Sequence, residues 1–357
     1  MSNSTIQKND FKATDLNLDG FHNNYKVADI NLADLGEKNM SLNMKNLLTH
    51  LHHPHSVKDY QGDEDPSAVK ISEYWGKTPK QLKNPKISFE FFPPRSDAAK
   101  KSLKEVHRKL SSINPEYFSV TFGALGSSQN ATFDTIVNLL KDTKIPITPH
   151  LTCVGTNKKQ VTNLLDEYII QGVNQVMVLK GDAPNAIVKK GDFEYANEMV
   201  KFIKENYENI DILVGAYPEK HPHSNCVGKD IDFFVDKVNA GATSAVTQYF
   251  YNIDAYFSFV DEVQKLGVDI PIIPGIMPIT NYDNIINFST NCGAEIPSWI
   301  LNRLKLYRSD AKSLKEFGED VVSEMCLKLK ENGVNSFHFY CMNKDEPALS
   351  LSKKLYL

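Results

Sequence analysis

From residue 86 onward, short β-branched or aromatic runs alternate with amphipathic stretches of helical period. The runs predict strands at 87–92, 117–122, 147–153, 175–181, 211–217, 244–250, 269–275 and 336–341. The stretches between them predict helices near 97–112, 131–142, 158–171, 192–206, 228–240 and 252–266, a broken helical region over 281–332, and a last helix after 345. Strands alternating with helices imply right-handed crossovers and a parallel sheet, and eight such units fit a closed barrel. A doubly wound open sheet is the alternative. It usually carries GxGxxG after its first strand, where this chain has Pro93-Pro94-Arg95, and a P-loop pattern is absent too. The expected fold is therefore an α/β (β/α)8 TIM barrel with an N-terminal extension.

Residues 1–85 lack this alternation. They are rich in Asn, Lys, Asp and His, and their clear helical pattern is Met40, Met44, Leu47, Leu48 and Leu51, spaced for a single apolar face. The run His50–His55 could ligate a metal, but it has no sulfur ligands or supporting partners, and a solvated tail explains it better. No metal site is expected. Gln61–Asn84 reads as a linker with a short helix around Ser67–Tyr74. The expected division is a polar, partly helical extension and linker over 1–85 and a catalytic barrel over 86–357.

Composition narrows the class. The 357 residues are 41% hydrophobic and 24% charged with a net charge of −4, and the basic residues are spread along the chain, so nothing marks a nucleic-acid partner. Five cysteines, far apart and without a CxxC, argue against a disulfide framework or a structural zinc and fit a reducing cytosol. The longest apolar run, Ile270–Ile279, is short and broken by three prolines, and the N-terminus has no apolar leader core. A cytoplasmic protein without a membrane partner is expected.

A barrel of this kind works at the C-terminal ends of its strands. Alternation puts Ser88, Glu90 and Phe92 on one face of the first strand and Ile87, Phe89 and Phe91 on the other. Glu90 is a lone carboxylate among aromatic residues, directly before the Pro93-Pro94 stop. Burial of an unpaired carboxylate is costly and raises its pKa, which makes Glu90 a candidate general acid; a carboxylate satisfied by an Arg or by backbone amides is the alternative. Thr121, His150, Asp182, Tyr217 and Gln248 end strands two to six, with Val120, Phe122, Leu151 and Leu179 expected on the opposite face. The turns Thr121–Gly123, Lys180–Asp182 and Ala216–Glu219 allow backbone to approach a flat or phosphorylated ligand. With Phe92, Tyr217, Tyr249, Phe250 and Tyr251 nearby, a large planar ligand is expected.

These residues resemble one family, the methylenetetrahydrofolate reductases of the short bacterial type, which are flavin-containing (β/α)8 barrels. The likeness rests on the segments Ser88–Arg95, Val120–Gly123, Pro149–Cys153, Leu179–Asp182, Ala216–Pro222, Lys237–Ala242, Thr247–Phe250, Ile273–Ile276 and Phe337–Tyr340, in order along the chain. The resemblance implies FAD as cofactor and reduction of 5,10-methylenetetrahydrofolate to 5-methyltetrahydrofolate. NADH or NADPH would be the hydride source in a ping-pong reaction feeding methionine synthesis. It implies that Glu90 protonates the folate and that Asp182 stabilises the resulting cation. Gln248 would hold the pterin, Phe288 would stack on the planar substrate and Lys344 would contact it. FAD would be held by Thr121, His150, Lys180, Gly181, Asp182, Tyr195, Tyr217, His221, Asp230 and Lys237. The implied partners are these small molecules and further copies of the chain in a homo-oligomer. Lys180 stands where the family usually has Arg, which exchanges a bidentate fork for a point charge, and Tyr249 where it often has Phe.

Two other enzymatic or binding readings are a different flavin barrel, such as a proline dehydrogenase, and a non-catalytic folate or flavin carrier. A carrier has no need of a proton donor such as Glu90. The chain stops soon after the eighth predicted strand, so the S-adenosylmethionine-sensing domain of longer relatives is expected to be missing. Tyr25–Lys38 resembles the opening segment of S-adenosylhomocysteine hydrolases, a stretch too short to supply that chemistry.

Overall fold

A computed structural model describes residues 84–122, 127–181, 191–222, 224 and 226–356, with side chains at all of these except 127–130. The expected helical patterns of the extension lie outside the described residues, as does Asp182. The strands are β1 (Lys86–Phe91), β2 (Tyr117–Val120), β3 (Ile147–Thr152), β4 (Gln175–Leu179), β5 (Asp211–Ala216), β6 (Ser244–Thr247), β7 (Ile272–Ile273), β8 (Gly275–Ile276) and β9 (Ser336–Phe339). They form one parallel sheet in the order β7-β6-β5-β4-β3-β2-β1-β9-β8. The expected strand at 269–275 is thus shifted and split.

Pro274 causes the split. It has no N–H for a ladder, so the chain pairs with β6 before it (Val246↔Ile273) and with β9 after it (Gly275↔His338). The Pro274 carbonyl still accepts from His338 N at 3.0 Å, and Gly275 N donates to Thr247 Oγ1 at 2.9 Å. The two ends of the sheet are joined through this single residue, and nine segments make eight barrel strands. Gly275 is required there: a Cβ would lie 2.1 Å from the Thr247 carbonyl oxygen and 2.6 Å from the Tyr340 ring.

The helices are α1 (Asp97–Ser111), α2 (Ser127–Asp142), α3 (Lys158–Ile170), α4 (Ala196–Asn206), α5 (Val227–Asn239), α6 (Ile253–Lys265), α7 (Tyr282–Cys292), α8 (Ser298–Leu306), α9 (Ala311–Glu331) and α10 (Ala348–Leu355). One helix follows each strand up to β6, and α7–α9 fill the broken region before β9. Their starts follow capping chemistry. Ser96 Oγ accepts from Ala99 N at 3.2 Å before α1, and Asn157 and Gln160 form a reciprocal capping box before α3. Among the described residues no helix is long and apolar enough to cross a membrane.

The core has two shells. Outside the strands, Phe89, Phe91, Phe118, Phe337 and Phe339 are fully buried, with Leu103, Val106 and Leu110 of α1 in the same cluster. Phe91 stacks on Phe118 at 5.1 Å. Each such side chain contributes about 1.5–3 kcal/mol by leaving water. Inside the barrel, Tyr117, Met177, Leu213, Val246 and Ile273 form a separate plug, with Leu179 and Tyr340 against it. Leu179 therefore faces inward, in register with Thr152, and not outward as expected.

Candidate active site

Register brings the inward residues of β1, β2 and β9 side by side: Ser88 pairs with Tyr117 and with His338, and Glu90 pairs with Ser119. The Glu90 carboxylate enters the barrel near the C-terminal end of β1, with 22% of the side chain reaching solvent. Its Oε2 lies 3.7 Å from Nε2 of His150 and 4.0 Å from Nε2 of His338. Among the described residues no Arg or Lys pairs with it and no backbone amide donates to it.

His150 is buried, and its Nε2 has no hydrogen-bond partner. Burial pushes its pKa down to about 4, against the opposing pull of Glu90. It is neutral at neutral pH, and its approach to Glu90 is not an ion pair. His338 is held instead by hydroxyls, with Ser88 Oγ 2.8 Å from Nδ1 and Ser119 Oγ 3.4 Å from Nε2. Tyr117 stacks on its ring at 5.7 Å, and Tyr340 meets it edge-on at 5.5 Å. Tyr340 Oη donates to the Thr247 carbonyl at 2.7 Å, and burial raises the pKa of both phenols. These rings line the barrel beside the carboxylate, which keeps part of its surface exposed.

Ser88, His338 and Tyr340 were not among the expected site residues, although Phe337–Tyr340 is one of the segments that carry the family resemblance. The alternation Phe-His-Phe-Tyr, with Phe337 and Phe339 outward, was the signal that could have found them.

The other candidates gather at the ends of β2 to β6. Thr121 follows β2, donates its N–H to the Phe91 carbonyl at 2.9 Å and accepts at its own carbonyl from Thr132. Gln248 follows β6; its Oε1 accepts from Tyr249 N at 3.0 Å, so its amide N–H groups are what it offers a ligand. Tyr217 and His221 follow β5 with their rings edge to face at 4.5 Å, and Asp230 in the first turn of α5 accepts from His221 N at 2.7 Å. Lys237 of α5 donates to the Gly215 carbonyl of β5 and is pushed by burial down to about 8. Lys180 Nζ lies 4.7 Å above the Tyr195 ring, which stacks on Phe233 at 6.0 Å. Gly181 turns the chain at φ +80°, and a Cβ there would lie 2.8 Å from Thr152 Cβ.

Phe288 stands exposed on α7 and Lys344 exposed in the turn after β9. Hydrogen bonds and ring contacts tie neither to Glu90 among the described residues. Tyr249, where the resemblance expected Phe more often, is buried with its hydroxyl 3.0 Å from Ser289 Oγ. Among the described residues no group of three or more His, Cys, Asp or Glu is placed to hold a metal ion.

A closed parallel barrel with its polar groups at the strand C-termini, above an apolar plug, defines the class: a (β/α)8-barrel enzyme. Comparison with known proteins gives the family. The sequence profile of the methylenetetrahydrofolate reductases matches residues 77–356. The 5,10-methylenetetrahydrofolate reductase of Escherichia coli K12 is 33% identical over 269 residues, covering 75% of this chain and 90% of the relative. That of Buchnera aphidicola subsp. Schizaphis graminum is 36% identical over 264 residues, covering 74% and 89%. A solved structure from Clostridium thermocellum, described as an uncharacterized protein that binds two copies of 5-methyl-5,6,7,8-tetrahydrofolic acid, superposes with a TM-score of 0.56. At 16% identity, over 78% of this chain and 96% of that one, it shows the shared fold alone. The chain belongs to the methylenetetrahydrofolate reductase family and is an oxidoreductase.

Proposed function

We infer that the chain reduces 5,10-methylenetetrahydrofolate to 5-methyltetrahydrofolate in two half-reactions through bound FAD, with NADH or NADPH as the hydride source. The observation that carries this reading is the Glu90 carboxylate, which among the described residues has no cationic or amide partner and stands beside His150 and His338, partly exposed, near the C-terminal end of β1. Glu90 gives a proton to N10 of the folate. The bond from N10 to the methylene carbon then breaks and leaves a 5-iminium cation, which a hydride converts to the methyl group. Asp182 stabilises that cation, Gln248 donates to acceptors on the pterin, Phe288 stacks on the planar ring and Lys344 contacts the substrate.

The residues at the mouth fit a flavin. The buried His150 Nε2 lacks a partner, the Gly181 turn has no room for a Cβ, and the Lys180 ammonium sits over the Tyr195 ring. Thr121, Tyr217, His221, Asp230 and Lys237 complete the set that would hold it. When bound, FAD supplies a hydride carrier that takes the hydride from the nicotinamide and delivers it to the folate.

The test is the visible spectrum of the purified protein. A yellow protein that releases FAD on denaturation, is bleached by NADH or NADPH and is reoxidised by methylenetetrahydrofolate supports the reading. A colourless protein that takes up no FAD, or one reoxidised by no folate, overturns it.

A further inference from the structure

β1 and β9 stay in register from Lys86↔Ser336 to Phe89↔Phe339, and there their ladder stops. Glu90 is the next residue. On its β9 side the backbone has no strand to pair with, and side chains take the place of one. Cys341 Sγ donates to the Glu90 carbonyl at 3.0 Å. Asn343 Oδ1 accepts from Phe92 N–H at 3.0 Å while its Nδ2 donates to the Phe92 carbonyl at 2.8 Å. A primary amide used this way presents the same acceptor and donor as the peptide groups of a strand.

Aiming that amide has a cost in the backbone. Met342 and Asn343 sit consecutively at φ 52° and 54°, in the left-handed region that residues other than glycine adopt rarely. Glycine could make such a turn without strain, but it has no amide to place on Phe92. The strained pair is thereby tied to the two bonds that Asn343 makes.

We propose that Asn343 is a positioning residue for the folate half-reaction: its amide replaces the missing ladder and holds Glu90 at its height in the barrel, beside His150 and His338. This rests on Glu90 being the acid. A misplacement of ~1 Å costs on the order of 10²-fold in rate. The nicotinamide half-reaction needs no proton donor, so it is indifferent to a loosened Glu90.

The experiment uses the holoenzyme with three substitutions. Asn343→Gly keeps the left-handed backbone and removes both bonds. Asn343→Asp keeps the acceptor for Phe92 N–H and loses the donor to its carbonyl. Glu90→Gln removes the acid. Stopped-flow flavin absorbance reads each half-reaction, the folate half is followed against pH, and hydrogen exchange reads the peptide containing Phe92 without reference to activity.

The expected result for Asn343→Gly is a loss of roughly 10- to 100-fold in the folate half alone. Its pH profile should be altered, exchange at Phe92 should be faster, and Asn343→Asp should fall in between. A folate rate and pH profile unchanged in Asn343→Gly, with Glu90→Gln impaired, would overturn the positioning role and leave the acid standing. Equal loss in both halves would overturn it in favour of a structural clasp. An unimpaired Glu90→Gln would remove the acid, and with it any role for Asn343 through it. Should the glycine variant not accumulate as folded protein, Asn343→Asp carries the same comparison.

Discussion

Gly181→Ala separates two costs that usually arrive together, because the chain holds its own control. Gly181 sits at φ +80°, and a Cβ there would lie 2.8 Å from Thr152 Cβ and 3.2 Å from its Cγ2. Gly172 has nearly the same backbone, φ +86°, but nothing within 4 Å of a Cβ. Placing a side chain in the left-handed region costs about 1–2 kcal/mol. Overpacking against a neighbour that cannot retreat adds about 1–3 kcal/mol. Thr152 is the last residue of β3, paired with Leu179 of β4, so its Cβ moves only if the strand does.

Gly172→Ala should therefore lose about 1–2 kcal/mol, and Gly181→Ala about 2–5 kcal/mol. Against a total of roughly 5–15 kcal/mol for a folded domain, the second is a large fraction. Urea unfolding followed by circular dichroism, with the midpoint shift converted through a common slope, measures both. A Thr152→Gly background should recover part of the Gly181→Ala loss, since the two sites are in contact and not additive. Equal losses at 172 and 181 would refute the reasoning, because they would mean that the Lys180-Gly181 turn relaxes away from β3 at no cost. In that case the Cβ contact does not define the turn, and the fit of this turn to a cofactor loses its geometric support.

Three further outcomes are expected. Glu90→Gln should retain flavin and its reduction by nicotinamide while the folate half-reaction falls about 10²–10⁴-fold, the range of a positioned general acid; equal loss in both halves by stopped-flow absorbance would leave Glu90 only a role in shaping the pocket. His150 has a folded-state pKa of about 4 against the ordinary 6.5, so the unfolded chain takes up the extra proton first. Stability should fall as pH drops between those values, by about 3 kcal/mol in all, and level off below the lower one. His150→Gln should flatten that part of the urea-midpoint profile, and parallel profiles for the two proteins would refute it. Removing residues 1–76, ahead of the family match and of β1, should leave a folded, flavin-binding barrel; loss of the circular-dichroism signal or of bound flavin would show the segment to be integral.

The barrel was legible because its strands and helices carry different periods, and most strand ends fell within a few residues of expectation. The seventh strand was not. Its apolar run over 269–275 reads as continuous β, yet Pro271 and Pro274 cannot donate to a ladder, and the pairing switches partners where Pro274 stands. Leu179 was placed on the wrong face because hydrophobicity does not tell inside from outside when both faces of a strand are buried. Lys237 shows a different limit. A lysine late in an amphipathic helix reads as solvated, and the likeness to a family marked it for a cofactor; its hold on the Gly215 carbonyl is visible only once α5 lies against β5.

What does separate plug from site is position along an inward-facing row. Tyr117, Leu213 and Val246 belong to the apolar plug, and each is followed at the same parity, nearer the C-terminal end, by a different kind of residue. Tyr117 leads through Ser119 to Thr121, Leu213 through Gly215 to Tyr217, and Val246 directly to Gln248. On β1 the row runs from Ser88 to Glu90, whose outward neighbours Phe89 and Phe91 are fully buried. The change from apolar to polar within one or two inward positions sets the depth at which water is excluded, and Glu90 stands at that boundary. A carboxylate one inward step deeper, at Ser88, would be sealed among Tyr117, His338 and the plug with no route to a ligand. One step higher, at Phe92, it would stand in solvent, beyond the reach of His150 and His338. Moving the acid to either position while replacing Glu90 by Gln should therefore fail to restore the folate half-reaction, and restoration from position 92 would refute the claim that depth in the barrel sets the chemistry.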